Sequence, residues 1–500
     1  MSIDQDWITI IIYFFILLVL VVLSDILNKK YKLSGKITRR IVHVGVGLVV
    51  CTTPFTLNSW IQPALLASLF IFANLVAIRR GLMQGIHSTR RVSYGTVFFP
   101  VSFLTLILLF WENNPEILIV SMLLLAISDP LAAIVGEKYG ENYHAYLYDK
   151  KSYHGLLSVF ISSFFLTFLT LSGLRLMDIF VGISYSGILL ASLAVSIIAV
   201  PAEAVSFKGT DNLSLPLLSA VMLSIMLNAT PVGRIYNLLW IIFAGLVSII
   251  AYKGKSLSRS GVAGAIVIGS FVFTIGGIAW LVPLGVFFVL SSLLSRLGRD
   301  HKKALNKIAK KGGQRDIGQV YANGGIGLAL VLIYHFYSSP ILYLMYLGSF
   351  AAANADTWET EIGTFFKKGT RNILDLSAVP PGTSGGVSLM GTLGGLAGSA
   401  LVALSGFYFV SPHRNLLLIF TIVTLGGMAG SIIDSYAGAL FQAKYLCPVC
   451  QTETERLMHC GKTTEHIKGI PWINNDMVNF ICTSSGAILV PILHWIIIGG

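Results

Sequence analysis

Charge is what this sequence has least of. Asp, Glu, Lys and Arg make up 12% of its 500 residues, about half the share found in soluble domains. Hydrophobic residues make up 55%, and the mean hydropathy is +0.77. A chain with so few charges and so many apolar runs is not expected to fold as a soluble globular protein. We therefore predict an all-α polytopic membrane protein.

Cysteine is also scarce. The chain has only five Cys residues, too few to build a disulfide framework for a protein of this size. Four of the five follow residue 446, which indicates a local feature. A cleavable signal peptide is not expected either, since the first residues, MSIDQDW, have Asp4 and Asp6 where such a leader has basic residues. Residues 7–23 are expected to stay as part of the first span.

About 16 apolar segments follow one another along the chain. In lipid each should be a helix, because the backbone has to satisfy its own hydrogen bonds. Their approximate bounds are 7–27, 41–54, 62–78, 94–110, 117–136, 155–172, 179–200, 214–229, 235–251, 261–276, 281–294, 324–337, 341–354, 387–407, 415–433 and 479–498.

The basic residues are unevenly distributed between the connections. When alternate connections are counted, 32 of the 35 Lys and Arg residues fall in one set, and the other set contains only Arg175, Arg234 and Arg414. The positive-inside rule assigns the first set to the cytoplasm. We therefore predict active sites on the cytoplasmic face and both termini on the opposite face. The net charge of +12 then needs no nucleic-acid partner.

Two stretches of the sequence resemble each other. ISDPLAAIVGEKYG (127–140) and NADTWETEIGTFFKKG (354–369) each place an Asp, Asp129 or Asp356, seven residues before a Gly. A basic loop follows each stretch, and then a small-residue entry to the next span, in KKSYHGLLS and PPGTSGGVS. The pattern indicates an internal repeat.

Further acids recur in the same order. Glu203 ends one span, and the pair Asp211-Asn212 leads into the next. Asp434 ends a later span, and Asp476 leads into the last one. An offset of eight spans keeps the orientation of both copies, so we predict two parallel eight-helix repeats.

Carboxylates at the ends of apolar helices suit Mg²⁺, which takes oxygen ligands and shares its shell with phosphates. Ionisable residues in membrane proteins usually face a protein interior or a cavity. The predicted magnesium ligands are Asp129, Asp356, Glu359, Asp434 and Asp476. The predicted catalytic residues are Asp129, Glu203, His43, Asp356, Glu359 and Asp434.

Cations and a Gly-rich loop would hold phosphate groups beside the metal. The loop PGTSGG (381–386) is expected to open a helix and to offer its free N–H groups to an anion. Phosphoryl transfer requires a metal ion, cations and alignment of the reacting oxygens. The predicted nucleotide- and phosphate-binding residues are Arg39, Arg40, Lys150, Lys151, Ser152, Asp211, Asn212, Arg296, Arg299, Arg315, Asn323, Thr383, Ser384, Gly385 and Gly386.

Each of these features also has a purely structural explanation. Asp129 can cap a helix, PGTSGG can form a tight turn, and basic loops can do no more than fix orientation. His43 can be a hydrogen-bonded interior histidine. The recurrence of the acids and cations on one side, twice over, favours active sites.

A cysteine-containing loop, CPVCQTETERLMHCGKTTEH (447–466), is a separate feature. Cys447 and Cys450 form a CxxC, and His459 and Cys460 follow. Cys and His side chains at such spacing bind zinc tetrahedrally, so the loop is a candidate structural zinc site. Reduced thiols without a metal are the alternative.

The motifs also resemble known families. Residues 1–229 resemble the dolichol kinase and phytol kinase family of membrane polyprenol kinases, in RRIVHVGVG, SDPLAAIVGEKYG, KKSYHG and AEAVSFKGTDNLSLPL. Residues 235–500 resemble the membrane family that contains phytyl-phosphate kinase, in QRDIGQVYANGG, AANADTWETEIG, VPPGTSGGVSLMGTLGG, GSIIDSYAGALFQ and INNDMVN. The first resemblance implies CTP-dependent phosphorylation of an isoprenoid alcohol. The second implies phosphorylation of the monophosphate to the diphosphate.

Together the resemblances imply a bifunctional salvage kinase with a prenol, its monophosphate, a nucleotide and the bilayer as partners. An alcohol is a poor nucleophile and needs a base, for which Asp129, Glu203 and His43 are candidates. A monophosphate needs positive charge instead, and the largest basic loop is 295–323. A CTP-dependent cytidylyltransferase acting on a lipid phosphate is the nearest alternative, and a transporter built from parallel repeats is the third.

Overall fold

The computed structural model describes residues 3–80, 94–140, 143–146, 149–179, 182–206, 208–297, 314–366, 369–410 and 415–498. The chain divides into two compact units, Met1–Phe243 and Ala244–Gly500. Each unit is built mainly from helices, as the apolar segments predict.

The described part of the N-terminal unit has one β-hairpin among its helices. The helices are α1 (Ile3–Lys29), α2 (Gly35–Cys51), α3 (Thr53–Thr56), α4 (Ile61–Arg79), α5 (Gly95–Phe110), α6 (Pro115–Leu123), α7 (Asp129–Tyr139), α8 (Tyr153–Leu176), α9 (Tyr185–Ala204), α10 (Asp211–Asn228) and α11 (Pro231–Lys253), which contains the boundary between the units. A π-helical turn, Leu124–Ser128, joins α6 to α7. The hairpin pairs β1 (Tyr143–Tyr146) with β2 (Asp149–Ser152), and Tyr143 lies opposite Ser152.

The described part of the C-terminal unit adds several short strands. Its helices are α12 (Arg259–Leu297), α13 (Ile317–Phe336), α14 (Pro340–Phe366), α15 (Leu389–Gly406), α16 (Leu416–Leu440) and α17 (Asn475–Ile498), with a 3₁₀ turn at Phe407–Phe409. The strands are β3 (Arg371–Asn372), β4 (Gly386–Val387), β5 (Lys444–Leu446), β6 (Glu453–Thr454), β7 (Met458–His459), β8 (Lys462–Thr463) and β9 (Glu465–Lys468). They pair antiparallel as β3–β4, as the sheet β6–β5–β9, and as β7–β8.

The polytopic all-α class is confirmed. Twelve helices among the described residues are long and apolar enough to cross a membrane, and every predicted segment overlaps a helix. The segments 261–276 and 281–294 form one helix, α12, which is kinked at Gly277. Its φ of 64° is a conformation that favours glycine.

The predicted end of one segment is wrong. The segment 341–354 was expected to end before the acids of ANADTWETEIG, but α14 continues to Phe366. The acids therefore project from the helix itself. The polar residues of this part of α14 have partners on other helices. Asn354, for example, accepts a hydrogen bond from Ser291 Oγ at 2.8 Å.

The N-terminal unit positions Asp129 through a close contact between α7 and α8. Ser152 caps α8, and its Oγ accepts a hydrogen bond from Gly155 N at 3.1 Å. A Cβ on Gly136 would lie 2.9 Å from this oxygen, so the helices approach closely only because residue 136 is glycine. The contact fixes α7 seven residues beyond Asp129.

The C-terminal unit contains the same contact. Ser388 caps α15, and its Oγ accepts from Gly391 N at 3.2 Å. A Cβ on Gly363 would lie 3.1 Å from this oxygen. Because Asp356 lies seven residues before Gly363, the local geometry of the two predicted repeats is the same.

A row of glycines brings α15 against α14. It consists of Gly391, Gly394, Gly395 and Gly398, and a Cβ on any of them would stand 2.9–3.2 Å from a main-chain oxygen of α14. Small residues of this kind allow helix backbones to pack closely in membrane proteins. The segment of α14 that carries the acids is therefore held along two turns.

Gly47 of α2 makes a comparably close contact with the π-helical turn, and this contact gives a stability prediction. A Cβ on Gly47 would lie 2.2 Å from Ala126 Cβ, so Gly47→Ala should destabilise the protein by about 1–3 kcal/mol. Gly173→Ala in α8 is the matched control, because its Cβ would meet no atom within 4 Å. That change should be neutral or stabilising, since Ala is favoured over Gly in helices by about 1 kcal/mol. Thermal unfolding in detergent checks both, and an unchanged melting temperature for Gly47→Ala would contradict the contact.

Candidate active sites

Three carboxylates meet in the N-terminal unit. Asp129 begins α7, Glu203 lies in the last turn of α9, and Asp211 begins α10. One oxygen from each lies within 4.8 Å of the others. Glu203 is buried, whereas the side chains of Asp129 and Asp211 are about one-fifth exposed. Three separate helices therefore bring negative charge to one point.

Lys151 of the hairpin inserts into this cluster. Its Nζ lies 2.5 Å from Glu203 Oε1 and 3.5 Å from Asp211 Oδ2. Burial lowers the pKa of Lys151, but the carboxylates of Glu203 and Asp211 outweigh this, and the net pKa is raised. The amine is therefore a permanent cation at neutral pH, and it offsets one of the three negative charges.

His43 of α2 lies beside the cluster. Its Nε2 is 3.6 Å from Asp129 Oδ2 and 2.8 Å from the main-chain oxygen of Leu125. Leu125 belongs to the π-helical turn, a rare element that often occurs at functional sites. A neutral His43 donates from Nε2 to this carbonyl, so the contact orients the ring against Asp129.

Of the other residues predicted for this site, some lie near the cluster and others stabilise the start of a helix. Arg39 and Arg40 contribute positive charge near Asp129, and Arg40 also bonds Glu137 at 3.0 Å. The Ser152 hydroxyl serves as a helix cap. The Asn212 side chain donates to Gly209 O and Asp211 Oδ1 and so stabilises the start of α10. The side chain of Lys150 lies outside the described residues.

The C-terminal unit brings its acids together on α14 and α16. The carboxyl groups of Asp356 and Asp434 are in hydrogen-bonding contact. Glu359 Oε2 accepts from Ser431 Oγ at 2.6 Å, and Glu361 Oε1 accepts from Ser295 Oγ at 2.8 Å. Two like-charged carboxylates in contact require a proton or a cation between them.

A cavity of about 1170 Å³ opens on these acids. Asp356, Glu359, Asp434 and Asp476 all line it, as does Glu361. This is larger than a typical small-molecule pocket, which measures about 300–1,000 Å³. The cavity therefore has room for a nucleotide-sized ligand and part of a second one.

Two of the predicted arginines line the same cavity. Arg296 donates to Gly254 O at 2.8 Å and to Ser256 Oγ at 2.9 Å. Arg315 lies over the ring of Phe287 at 5.5 Å. Burial lowers the pKa of Arg315 to about 10, with Glu361 acting in the opposite direction, so the guanidinium stays charged at neutral pH. Arg299 lies outside the described residues.

The Gly-rich loop differs from its prediction. It does not open a helix, because Gly386 belongs to β4 and Ser388 caps α15. Within the first turn of α15, the N–H of Gly391 is bonded to this cap and is not free for an anion. The loop still lines the cavity with Thr383, Ser384, Gly385 and Gly386, and Ser384 Oγ bonds Gln442.

Some residues of these sites were not predicted from the sequence, and others were predicted with a different role. Asp211 was expected to bind phosphate, but it is the third carboxylate of the N-terminal cluster. Ser295 and Ser431 were not identified, since serines on apolar helices give no distinguishing pattern. Glu361 was passed over although it lies two residues after Glu359. Asn323 lines the cavity, and its side chain also donates to Gln319 O.

The N-terminal cluster brings three carboxylates within ligand reach of one ion, whereas the C-terminal cluster has two carboxyl groups in contact. Their donors are all oxygens, which this hard ion prefers. Each cluster also has a buried carboxylate oxygen that accepts no hydrogen bond from the described residues, Glu203 Oε2 in one and Asp434 Oδ1 in the other. Such an oxygen is costly to bury unless a cation or a proton approaches it.

The predicted zinc ligands also converge. One ligand atom from each of Cys447, Cys450, His459 and Cys460 lies within 4.8 Å of the others. All five Cys residues of the chain are free thiols.

Comparison with known proteins gives the family. Residues 242–487 match the family described as Integral membrane protein DUF92, and the chain belongs to this family of integral membrane proteins. Protein PGR of Arabidopsis thaliana is 32% identical over 263 residues, which cover 48% of this chain and 90% of the relative. No solved structure gives a significant match.

Two further relatives have names that state an activity. Phytol kinase of Synechocystis sp. is 30% identical over 207 residues, which cover 40% of this chain and 84% of the relative. Farnesol kinase of Arabidopsis thaliana, a chloroplastic protein, is 27% identical over 216 residues, which cover 39% of this chain and 67% of the relative. Each relative thus corresponds to half of this chain or less.

Proposed function

We propose that this protein is a membrane phosphotransferase that phosphorylates an isoprenoid alcohol and then its monophosphate, with CTP as the donor. The N-terminal unit would carry out the first step and the C-terminal unit the second. The observation that carries the proposal is the presence, in each unit, of a carboxylate cluster with an adjacent cation on apolar helices. The names of the phytol kinase and farnesol kinase relatives support the substrate class.

The location of the acids suits a lipid substrate. An isoprenoid tail partitions into the bilayer, with about 0.8 kcal/mol gained per buried CH₂. Its polar end would then lie near the last turn of α9 and the start of α10, where Glu203 and Asp211 are found. We infer that the cytoplasmic face carries both sites, on the charge distribution alone.

The first step needs a base for the alcohol proton. Of the three candidates, Glu203 is buried and held by Lys151, and His43 Nε2 is occupied by the Leu125 carbonyl. Asp129 is the accessible one. We therefore assign it as the base, with His43 as the residue that orients it and Lys151 as a cation facing the phosphates.

The second step starts from an anion and needs no base. Two negatively charged reactants have to approach each other, so positive charge is the requirement. Arg315 and Arg296 supply it in the cavity. Mg²⁺, when held by Asp356, Asp434 and their neighbours, would neutralise nucleotide phosphate oxygens. Within the described residues neither Asp356 nor Asp434 forms a salt bridge, so this cluster depends on such a cation more than the cluster around Lys151 does.

Labelled nucleotides test the proposal directly. Membranes containing the full chain would receive CTP or ATP labelled at the γ-phosphate, together with farnesol, geranylgeraniol, phytol or their monophosphates. We expect label in prenyl monophosphate and diphosphate, and CDP as the nucleotide product. Pyrophosphate with a CDP-lipid would instead identify a cytidylyltransferase. Absence of any labelled lipid would refute a phosphotransferase.

Loss of cavity charge should affect one step more than the other. We expect Arg315→Gln, alone or with Arg296→Gln, to slow phosphorylation of the monophosphate by about 10- to 100-fold, because a charge facing the phosphates is removed. Phosphorylation of the alcohol should stay near the wild-type rate. Arg371→Gln is the control, since Arg371 is exposed and its side chain donates to the nearby Leu376 carbonyl. Equal loss in both steps would contradict this assignment of the arginines.

A further inference from the structure

The cysteine-containing segment lies between α16 and α17 and folds as two small antiparallel sheets. We call residues 444–468 the ribbon; it comprises β5 to β9. Its strands are only two to four residues long. Sheets this small have too little apolar contact to be stable alone and usually depend on a metal or a disulfide. The ribbon has no disulfide.

Two tight turns of the ribbon present the four ligand atoms. The first follows β5 and contains Cys447 and Cys450, and it is closed by hydrogen bonds from Cys447 N to Thr452 O and from Gln451 N to Cys447 O. The second joins β7 to β8 through Cys460 and Gly461, whose φ values are 49° and 76°. Positive φ at both positions is the mark of a tight hairpin turn.

Backbone N–H groups approach two of the sulfur atoms, and Cys447 Sγ also lies 3.8 Å from His459 O. The backbone N–H groups of Val449 and Cys450 lie within hydrogen-bonding reach of Cys447 Sγ, and that of Thr452 reaches Cys450 Sγ. Hydrogen bonds of this kind stabilise negative charge on sulfur.

The distances fit a tetrahedral ion. His459 Nδ1 lies 3.4 Å from Cys450 Sγ and 3.3 Å from Cys460 Sγ. Ligand atoms at ordinary Zn–S and Zn–N distances are about 3.5–3.8 Å apart in a tetrahedron. These two pairs are slightly closer than a tetrahedral Zn²⁺ ion would hold them, and all four ligand atoms lie within 4.8 Å of one another, so the four side chains surround a single position for an ion.

The ribbon also forms part of the wall of the C-terminal cavity. Thr452, Thr454 and Glu455 line that cavity. The buried Gln442, just before β5, donates from Nε2 to Glu455 Oε1 at 2.8 Å, and its Oε1 accepts from Ser384 of the Gly-rich loop. A polar bridge thus runs from the ribbon to the loop.

We propose that Cys447, Cys450, His459 and Cys460 bind one Zn²⁺ ion, and that this ion holds the ribbon and, through Gln442, the Gly-rich loop in place. All four positions are then filled by protein ligands, which is the pattern of a structural zinc site. The ion takes no part in phosphoryl transfer. The zinc site is independent of the proposed kinase function.

Metal analysis of the purified full chain is the first test. In detergent and metal-free buffer we expect about one zinc per chain, with its binding energy contributing to folding. The double variant Cys447→Ser, Cys450→Ser should lose it, and Cys51→Ser, a change in the N-terminal unit, should retain it. Replacement of zinc by Co²⁺ should give the visible absorption of a tetrahedral thiolate site. Iron, a disulfide within the ribbon, or a metal-free chain with five reactive thiols would overturn the site.

Hydrogen exchange tests the coupling to the loop, and it also covers the case in which the double variant does not fold. Wild-type chain stripped of zinc by a chelator should exchange faster at 380–386 and within the ribbon, with α9 unchanged as the internal reference. Readdition of Zn²⁺ should restore the slower exchange. Unchanged exchange at 380–386 after complete removal of zinc would overturn the proposed link between ion and loop, whatever the kinase assay gives.

Discussion

Asp129→Asn should reduce phosphorylation of an isoprenoid alcohol by about 100- to 10,000-fold, the range over which general bases contribute. Asn has the same size and keeps the packing of α7, but it cannot take a proton and it carries no charge. The loss should appear in kcat, because the alcohol tail would still bind. Phosphorylation of the monophosphate should continue, since Asp129 belongs to the N-terminal unit.

The measurement uses the full chain with γ-labelled CTP and either farnesol or farnesyl monophosphate. Glu137→Gln is the matched control: this acid also lies on α7, but it is about half exposed and pairs with Lys36 and Arg40. It should retain nearly full activity. If Asp129→Asn turned over the alcohol at the wild-type rate, the assignment of the base would be wrong; if both steps fell together, the division of labour between the units would be wrong.

Asp434→Asn should have the opposite selectivity. We expect phosphorylation of the monophosphate to fall by about 100-fold or more, since a preorganised charged group in the site is lost, while the alcohol step persists. Asp434 Oδ1 is buried without a hydrogen bond from the described residues, and the carboxyl group contacts Asp356. An amide at this position can donate to Asp356, but it cannot replace a carboxylate as a cation ligand.

The stability of this variant provides a second readout. Removal of one of two facing carboxylates relieves repulsion, so Asp434→Asn should melt at the same temperature as the wild type or higher, in spite of its lost activity. Asp375→Asn is the control, because Asp375 is exposed and accepts hydrogen bonds from the neighbouring Ser377. A lower melting temperature together with loss of both steps would mean that Asp434 has a structural role instead.

Hydropathy was sufficient to predict the helices, because the need to satisfy backbone hydrogen bonds in lipid leaves few alternatives. It failed where a helix contains polar residues. The acids of ANADTWETEIG were expected after the end of a span, yet α14 continues through them. The partners of Glu361 and Glu359, which are Ser295 and Ser431, lie 66 and 72 residues away in the chain, and such tertiary pairing overrides local pattern.

The candidate sites were foreseen in part. The repeated order of acids along the sequence predicted which residues would form the sites. The structure brings Asp129 together with Glu203, and Asp356 together with Asp434. Sequence could not show that Asp211 would complete the first cluster or that Ser388 would accept a hydrogen bond from the N–H of Gly391, the third residue of α15. Both depend on how separate segments meet, which spacing along the chain does not encode.

The glycines of α15 have a consequence for how the C-terminal site can work. A Cβ at any of these positions would stand 2.9–3.2 Å from a main-chain oxygen of α14, so the two helices have little room to shift against each other. The close packing of α14 and α15 therefore fixes the positions of the acids on α14. Under the proposed function, the motion that admits the nucleotide has to come from the segments around these two helices.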